Sequence, residues 1–280
     1  GMPLASIETN LIDLILPADK IGLNLPDIVQ TPSKIIELMD DEKSGLSGLD
    51  EIFAMVRKRT EIDFSKYKQT TLCRRIERRI IATGSQDLPS YVLHMKDNPT
   101  EAESLAKDVL ISVTSFFRDG AAYRALEETI DEIIRSKEPG DELRFWVAGC
   151  ATGEEPYSLA ILLSEKLGMK VGGYKIQIFA TDIDMEALES ARKGIYLEAA
   201  LKETPPQYID RYFTKKGDKY YVSKDLREMV VFARQDLAKD PPFVRIDLLT
   251  CRNVLIYFNQ ELQDRVFSSF HFSLASSGYM

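Results

Sequence analysis

Polar and acidic side chains follow three apolar segments of this chain, at points where strands are predicted to end. The first group is residues 149–155 in WVAGCATGEEP, the second is Thr181-Asp182 and the third is Gln235-Asp236. The carboxyl ends of parallel strands meet at one edge of a sheet, so we expect these groups to line one crevice. A carboxylate that ends the second strand suits ribose hydroxyls, because it accepts hydrogen bonds from both. Asp182 has that position, which predicts a ribose-bearing ligand.

The first turn is unsuited to phosphate. GCATG places Gly149 and Gly153 four residues apart and does not match the dinucleotide pattern G-x-G-x-x-G. A pyrophosphate beside Glu154 and Glu155 would meet like charge, which weakens NAD and ATP as candidates. S-adenosylmethionine carries ribose, adenine and two cationic groups but no phosphate, and therefore fits better. We expect Glu154, nearer the turn, to face the ligand; alternatively, either glutamate is an ordinary first-turn residue favoured by the helix dipole, with Thr152 as the cap.

The chain divides by pattern into helical and alternating parts. Residues 34–118 have mostly helical periodicity and predict an all-α domain. In residues 119–280, apolar strands alternate with helices, which predicts an α/β domain with a Rossmann-like, doubly wound parallel sheet. Residues 196–228 interrupt this alternation. Residues 1–33 contain four prolines and do not resemble a self-sufficient domain, so they are expected to form a linker or tail.

Composition excludes several functional classes. The chain has 280 residues, 44% of them hydrophobic, and a formal charge of −8, which argues against general nucleic-acid binding. Three widely spaced cysteines predict neither a disulfide framework nor a metal site, and they fit a reducing cytoplasm. Every uninterrupted apolar run is far shorter than the roughly 20 residues of a membrane span, so no membrane insertion is expected.

Five motifs together resemble one known family. TSFFRD, CATGEEPYSLA, FATDID, ARKGIY and CRNVLIYF occur in this order, and over residues 44–280 the chain resembles the CheR family. Its members are S-adenosylmethionine-dependent methyltransferases that esterify glutamates on bacterial chemoreceptors. The resemblance implies a class I methyltransferase fold, with residues 196–228 as a small β-subdomain.

The resemblance also implies site residues. SVTSFFR is similar to the family's NLTAFFR, with Ser112 in place of the asparagine, and Asp236-Leu237 stands where many members have Asn-Leu. The implied cofactor-binding residues are Ser112, Thr114, Arg118, Glu154 or Glu155, Asp182, Asp236, Leu237, Arg252 and Asn253. Arg144 and Tyr257 resemble the polar pair that the family places near the transferred methyl group. Alternatively, Arg144 is a surface charge where a strand begins.

A basic segment predicts an acidic partner. Residues 57–79 contain nine Lys/Arg and three Asp/Glu, a net charge of +6. The pairs Arg74/Arg78 and Arg75/Arg79 are four residues apart, so each pair shares one side of a helix. Such a surface suits an acidic helix, and the resemblance implies the glutamate-rich cytoplasmic helices of chemoreceptors. The alternative is a solvated basic face with internal salt bridges.

The two ends of the sequence, and two residues that differ from the family pattern, lead to further expectations. MPLASIETNLIDLILPADKI resembles the last segment of CheB methylesterase domains, which suggests a polypeptide that also contains a CheB-like domain. Family members continue beyond SGYM into further sheet strands, so we expect these strands to be missing here. Ser112 and Asp236 keep open a catalytically weak regulatory module that binds S-adenosylmethionine. A methyltransferase that acts on another substrate is a third possibility.

Overall fold

The structure, a computed structural model, describes residues 45–110 and 112–280. They form two units: one contains the described residues before 111 with Tyr257–Leu262, the other contains Ser112–Ile256 and Gln263–Met280. The division precedes Ser112, whereas the sequence analysis put it after residue 118. The SVTSFFR segment therefore belongs with the second unit. The predicted tail, including its CheB-like segment, lies outside the described residues.

The first unit is helical, as predicted. Its helices are α1 (Gly45–Thr60), α2 (Gln69–Thr83), α3 (Leu88–Asp97) and α4 (Glu101–Val109), with a 3₁₀ helix at Phe64–Lys66. The apolar positions of these helices form the core, which includes Ile52, Val56, Leu72, Ile76, Met95 and Leu105.

Local sequence explains where these helices begin and end. Gly84 ends α2 in a left-handed conformation (φ 73°) that glycine adopts at low cost. Asp87 begins α3 with a capping box, in which its carboxylate accepts from the Ser90 N–H and Ser90 Oγ accepts from the Asp87 N–H.

The second unit contains two sheets. In chain order its strands are β1 (Glu142–Ala148), β2 (Lys175–Asp182), β3 (Ile195–Leu197), β4 (Phe213–Lys216), β5 (Lys219–Val222), β6 (Val230–Arg234), β7 (Ile246–Thr250) and β8 (Leu274–Tyr279). The larger sheet has the order β6-β2-β1-β7-β8, and each neighbouring pair is parallel. The chain leaves β1 toward β2 and β6 and later returns to its other side as β7. This reversal creates a crevice at the carboxyl ends of β1 and β7.

Six further helices are described. They are α5 (Gly120–Arg135), α6 (Glu154–Leu167), α7 (Met185–Lys193), α8 (Pro206–Tyr212), α9 (Lys224–Met229) and α10 (Gln260–Ser273). The side chains of Leu159, Ile161 and Leu163 on α6 are buried in one cluster with Phe145 of β1 and Ile178 of β2. Apolar strands covered by helices are the pattern that the sequence predicted, and the fold class is confirmed.

The interruption at residues 196–228 forms the smaller sheet. Its order is β3-β5-β4, and both pairs are antiparallel. The small β-subdomain implied by the family resemblance is therefore present. Among the described residues, no helix combines the length and hydropathy needed to cross a membrane.

Candidate functional site

Backbone hydrogen bonds to the end of β2 hold the turn that follows β1. The backbone N–H groups of Gly149 and Cys150 both donate to the carbonyl of Thr181, at 2.8 and 2.9 Å. Gly149 has a φ of +76°, and a Cβ there would lie 2.2 Å from a methyl carbon of Val254. Only glycine allows this backbone to pass so close to the segment that follows β7.

Asp182, at the carboxyl end of β2, completes that attachment. Its Oδ2 accepts from the Ala151 N–H at 2.8 Å, and its Oδ1 accepts from the Asp184 N–H at 2.9 Å. Burial raises the pKa of this carboxyl, against the lowering effect of the backbone donors. A carboxylate oxygen has two lone pairs, so Asp182 keeps acceptor capacity for a ribose hydroxyl.

The two adjacent glutamates have different surroundings. Glu154 is 5% exposed, and its Oε2 accepts from Thr152 Oγ1 at 2.7 Å within the turn itself. Burial raises the Glu154 pKa to about 7. Glu155 instead accepts from Thr250 Oγ1, at the end of β7, at 2.7 Å, and from Arg252 at 3.5 Å. Glu155 therefore lies where β1 and β7 diverge, and Glu154 is enclosed by its own turn.

Arg252 connects the end of β7 to the SVTSFFR segment. One guanidinium N–H donates to the carbonyl of Arg118 at 2.9 Å, and the same nitrogen lies 3.6 Å from Asp119. The guanidinium also lies over the ring of Tyr123. A cavity of about 80 Å³ opens at this point, lined by Ala122, Tyr123, Leu126, Glu155, Leu159, Thr250 and Arg252.

The SVTSFFR residues reach the same region from the other side. Ser112 Oγ donates to Asp184, the second residue beyond β2, at 3.4 Å. The Arg118 guanidinium donates to the carbonyl of Val113 at 2.8 Å, and Thr114 between them is half-buried. The structure thus brings Ser112 and Arg118 to the carboxyl edge of the sheet, and the cofactor role of Thr114 stays a prediction.

The third strand end supplies Asp236. This buried carboxylate accepts from the Ala238 N–H at 2.9 Å and pairs with Lys239 at 3.3 Å; the next residue, Leu237, is half-buried. Its neighbour Gln235 donates its backbone N–H to the Asp182 carbonyl, which ties the two strand ends together.

Gln235, expected from its position at a strand end, has a buried Oε1 with no hydrogen-bond partner among the described residues. One polar side chain in this region was not predicted from the sequence: Thr250, which donates to Glu155. It ends a strand as Asp182 does, and this position is the signal that could have identified it. Asn253 is exposed, with a φ of 59°.

Arg144 is not at this site. It lies four residues before the end of β1, about 13 Å along the strand from Ala148. Its guanidinium donates to Gln177 at 3.2 Å, pairs with Glu142 at 3.5 Å and covers the ring of Phe179. This distance from the carboxyl edge, where the predicted cofactor residues lie, argues against the predicted catalytic role of Arg144. The alternative of a surface charge where the strand begins does not describe it either, since Arg144 is the third residue of β1 and its side chain is only 17% exposed.

Tyr257 belongs to another part of the structure. It ends the 3₁₀ helix Leu255–Tyr257 and is grouped with the helical unit, where its carbonyl accepts from the Lys68 N–H at 2.8 Å. Its catalytic role stays a prediction.

Two of the four arginines predicted to bind the acidic partner, Arg78 and Arg79, face carboxylates of this chain. Arg79 donates twice to the buried Glu101, at 2.8 and 2.7 Å, and Glu101 also accepts from the Tyr91 hydroxyl. Arg78 lies 4.0 Å from Asp108. Arg79 as a substrate-binding residue is therefore wrong, since its guanidinium is committed to an internal carboxylate. The net charge of +6 for residues 57–79 did not include Glu101 and Asp108, which lie outside that range and neutralise part of it.

Arg74 differs from that pair. Arg74 is exposed and has no ion-pair partner among the described residues, and Arg75 is half-buried. Across the described part of the chain, no group of His, Cys, Asp and Glu side chains is arranged to hold a metal.

The carboxylates at this edge of the sheet suit S-adenosylmethionine. Glu155, Asp182 and Asp236 place carboxylates at three adjoining positions, where they attract a cation and accept from hydroxyls. A phosphate group there would be repelled.

Comparison with known proteins identifies the family. Residues 47–110 match "CheR methyltransferase, all-alpha domain", and residues 112–280 match "CheR methyltransferase, SAM binding domain". The "Uncharacterized 104.1 kDa protein in hypE 3'region" of Rhodobacter capsulatus is 35% identical over 303 residues; the match covers 100% of this chain and 32% of that protein. This chain thus spans about a third of the length of that relative.

Two further proteins are similar. The "Chemotaxis protein methyltransferase" of Salmonella typhimurium is 33% identical over 234 residues, which cover 78% of this chain and 76% of the relative. The solved glycopeptide N-methyltransferase MtfA with S-adenosyl-L-homocysteine is 12% identical, with a TM-score of 0.32 over 55% of this chain and 46% of that one. Because one family match spans more than half of the residues, this chain belongs to the CheR methyltransferase family, with S-adenosylmethionine as its cofactor.

Proposed function

We propose that this chain is an O-methyltransferase that forms glutamate methyl esters on chemoreceptor-type signalling proteins. The observation that carries the proposal is a pair of carboxylates in a domain that matches the CheR family: Asp182 ends β2, and Glu155, in the first turn of α6, accepts from Thr250 at the end of β7. They suit a cationic, ribose-bearing cofactor. The name of the Salmonella typhimurium relative supports the chemotaxis context.

The cofactor contacts follow from the surroundings of each carboxylate. Asp182 accepts from the ribose hydroxyls at the end of β2. Glu155 attracts the cationic part of the cofactor, because it lies beside the cavity at the end of β7. Glu154 is enclosed and hydrogen-bonded within its own turn, so Glu155, and not the predicted Glu154, is the proposed cofactor contact. Asp236, Leu237 and Asn253 complete the proposed contacts.

The chemistry is a displacement at carbon. The cofactor supplies a methyl group bonded to a sulfonium; this carbon–sulfur bond breaks as a carbon–oxygen bond to the substrate carboxylate forms. A glutamate with an ordinary pKa of about 4.3 is already ionised at neutral pH, so the enzyme needs no general base. The work of the protein is to align the attacking oxygen and to exclude water from it.

Arg118 is the arginine that we propose to orient the substrate carboxylate, since Arg144 lies about 13 Å along β1 from the carboxyl edge. Its backbone is held by Arg252 and its guanidinium by the carbonyl of Val113, which fixes a positive charge near the cavity. Tyr257 donates a hydrogen bond beside the carboxylate in this proposal. Replacement of Tyr257 with phenylalanine should lower kcat more than cofactor affinity, and equal losses would contradict the assignment.

The proposed partner is the glutamate-rich cytoplasmic helix of a chemoreceptor. Arg74 on α2 is exposed, whereas Arg78 and Arg79 face internal carboxylates, and Arg75 stays a predicted contact. An exposed arginine on an amphipathic helix steers an acidic partner into place. Arg74→Ala should therefore raise the KM for the receptor and leave the cofactor Kd unchanged. An unchanged KM would contradict this role.

We further propose a cytoplasmic protein in which this region accompanies a CheB-like domain. The support is the likeness of MPLASIETNLIDLILPADKI to a CheB segment and the match of this whole chain within a longer relative. Mass and sequence of the polypeptide isolated from its source cells would test this arrangement.

The decisive experiment is incubation of the full-length protein with methyl-labelled S-adenosylmethionine and receptor cytoplasmic fragments. Base-labile label on receptor glutamates is the expected result, and Asp182→Asn should abolish it. Binding of the cofactor without any transfer would refute the enzyme and favour a regulatory module. Label on a protein other than a receptor would refute the substrate.

A further inference from the structure

The ARKGIY motif has no role in the site described so far, yet it ends at a tyrosine that touches the cofactor turn. Tyr196 lies in β3 of the small sheet and is 7% exposed. Its hydroxyl donates to the carbonyl of Thr152 at 2.7 Å. Thr152 lies in the turn at residues 149–153, next to Ala151, whose N–H donates to Asp182. A side chain of the small sheet thus holds the same turn that Asp182 holds.

The close approach of Tyr196 depends on a glycine. Gly153 has a φ of +94°, and a Cβ there would lie 3.0 Å from the Tyr196 hydroxyl and 2.8 Å from the Cβ of Ala191. A side chain at this position would push the tyrosine away from the turn. The second glycine of GCATG therefore makes room for Tyr196.

The ring of Tyr196 reaches the second cofactor segment as well. It meets the ring of Phe116 edge-on, with centroids 4.8 Å apart. Phe116 is fully buried, donates its N–H to the Ala200 carbonyl at 3.0 Å, and meets Phe213 of β4 edge-on at 5.1 Å. Because Phe116 stands two residues after Thr114 and two before Arg118, the small sheet also fixes the backbone between these two predicted cofactor residues.

We propose that Tyr196 is a positioning residue for the cofactor, through which the small sheet sets the conformation of the turn at residues 149–153. The Thr152 carbonyl has one fixed orientation because the Tyr196 hydroxyl bonds to it, and this orientation aims the neighbouring N–H groups. Without that bond, the peptide between Thr152 and Gly153 rotates more freely, and the turn must be ordered when the cofactor binds. The inference deepens the proposed function at its cofactor step and rests on it for the cofactor's identity.

Tyr196→Phe tests the inference because it removes the hydroxyl and keeps the ring packing. We expect the Kd for S-adenosylhomocysteine, measured by titration calorimetry, to rise by about three- to tenfold, the range for loss of one hydrogen bond. The KM for S-adenosylmethionine should rise in parallel, while kcat at saturating cofactor changes less than about twofold. Amide hydrogen exchange at residues 151–153 should become faster in the variant.

Tyr220→Phe is the matched control. Tyr220 is directly opposite Tyr196 in the small sheet and is equally buried, but its ring contacts Lys215 and not the turn. The control should keep the wild-type Kd and the wild-type exchange at residues 151–153. A Kd for Tyr196→Phe within twofold of wild type, or equal losses in both variants, would overturn the inference. Failure of the wild-type protein to bind would instead refute the proposed function.

Discussion

The enclosed carboxyl of Glu154 predicts a specific pH dependence of stability. Burial raises its folded-state pKa from 4.5 to about 7, so the folded protein holds this proton more tightly than the unfolded chain does. The resulting stabilisation is fully present below about pH 4.5 and is lost as the pH rises through about 7. By linkage, the loss between about pH 5 and pH 8 is on the order of 2.5 kcal/mol.

Glu154→Gln removes this titration and keeps the size of the side chain. The glutamine oxygen can still accept from Thr152, so the turn should remain intact. We expect the free energy of unfolding of the wild type to fall by about 2.5 kcal/mol more than that of the variant between about pH 5 and pH 8. Urea denaturation of both proteins across this range, at fixed ionic strength, measures the difference. Other titrating groups, such as Asp182, are common to both proteins and largely cancel.

Glu189→Gln provides the control, because Glu189 is exposed on α7 and its replacement changes the net charge equally. The pH-dependent change in the Glu154→Gln difference should exceed the change for this control by about 2.5 kcal/mol. If the two variants change alike, the carboxyl is not enclosed as described and the reasoning is refuted.

Three further predictions concern other positions. Glu155→Gln should weaken S-adenosylhomocysteine binding by about tenfold, as expected for a charged hydrogen bond, and calorimetry showing an unchanged Kd would remove Glu155 from the site. Arg79→Met should lower the free energy of unfolding by about 3 kcal/mol, because Glu101 is left buried without its cation, and a loss below about 1 kcal/mol in urea melts would contradict that pairing. Gly149→Ala should abolish cofactor binding in a protein that still folds, because its Cβ would overlap Val254. Calorimetry measures the binding and circular dichroism the fold, and a wild-type affinity would disprove the close approach.

Several features followed from sequence because they depend on local periodicity. Apolar strands that alternate with helices can bury both faces only in a covered parallel sheet, so the fold class was predictable. The parallel order then brings strand ends together, which placed Asp182, Asp236 and the turn after β1 at one edge. The acidic character of that turn was enough to disfavour phosphate.

The roles of single residues were less accessible. Successive positions on a helix point about 100° apart, so the exact start of α6 decides which of Glu154 and Glu155 faces β7. Spacing along the chain does not show this rotation. The prediction for Arg144 failed for a different reason, since it rested on a general resemblance to the family and not on one of the five motifs, and the distance from the end of β1 argues against it.

Sequence alone therefore determined the fold class, the edge of the sheet at which the polar strand ends meet and the acidic character of that edge. Tertiary structure decided which side chains are free to act there. Arg79 is paired with Glu101, 22 positions further along the chain, and Tyr196 holds Thr152, 44 positions earlier. Such contacts join residues that have no fixed separation in the sequence, because only the packing of whole helices and strands brings them together.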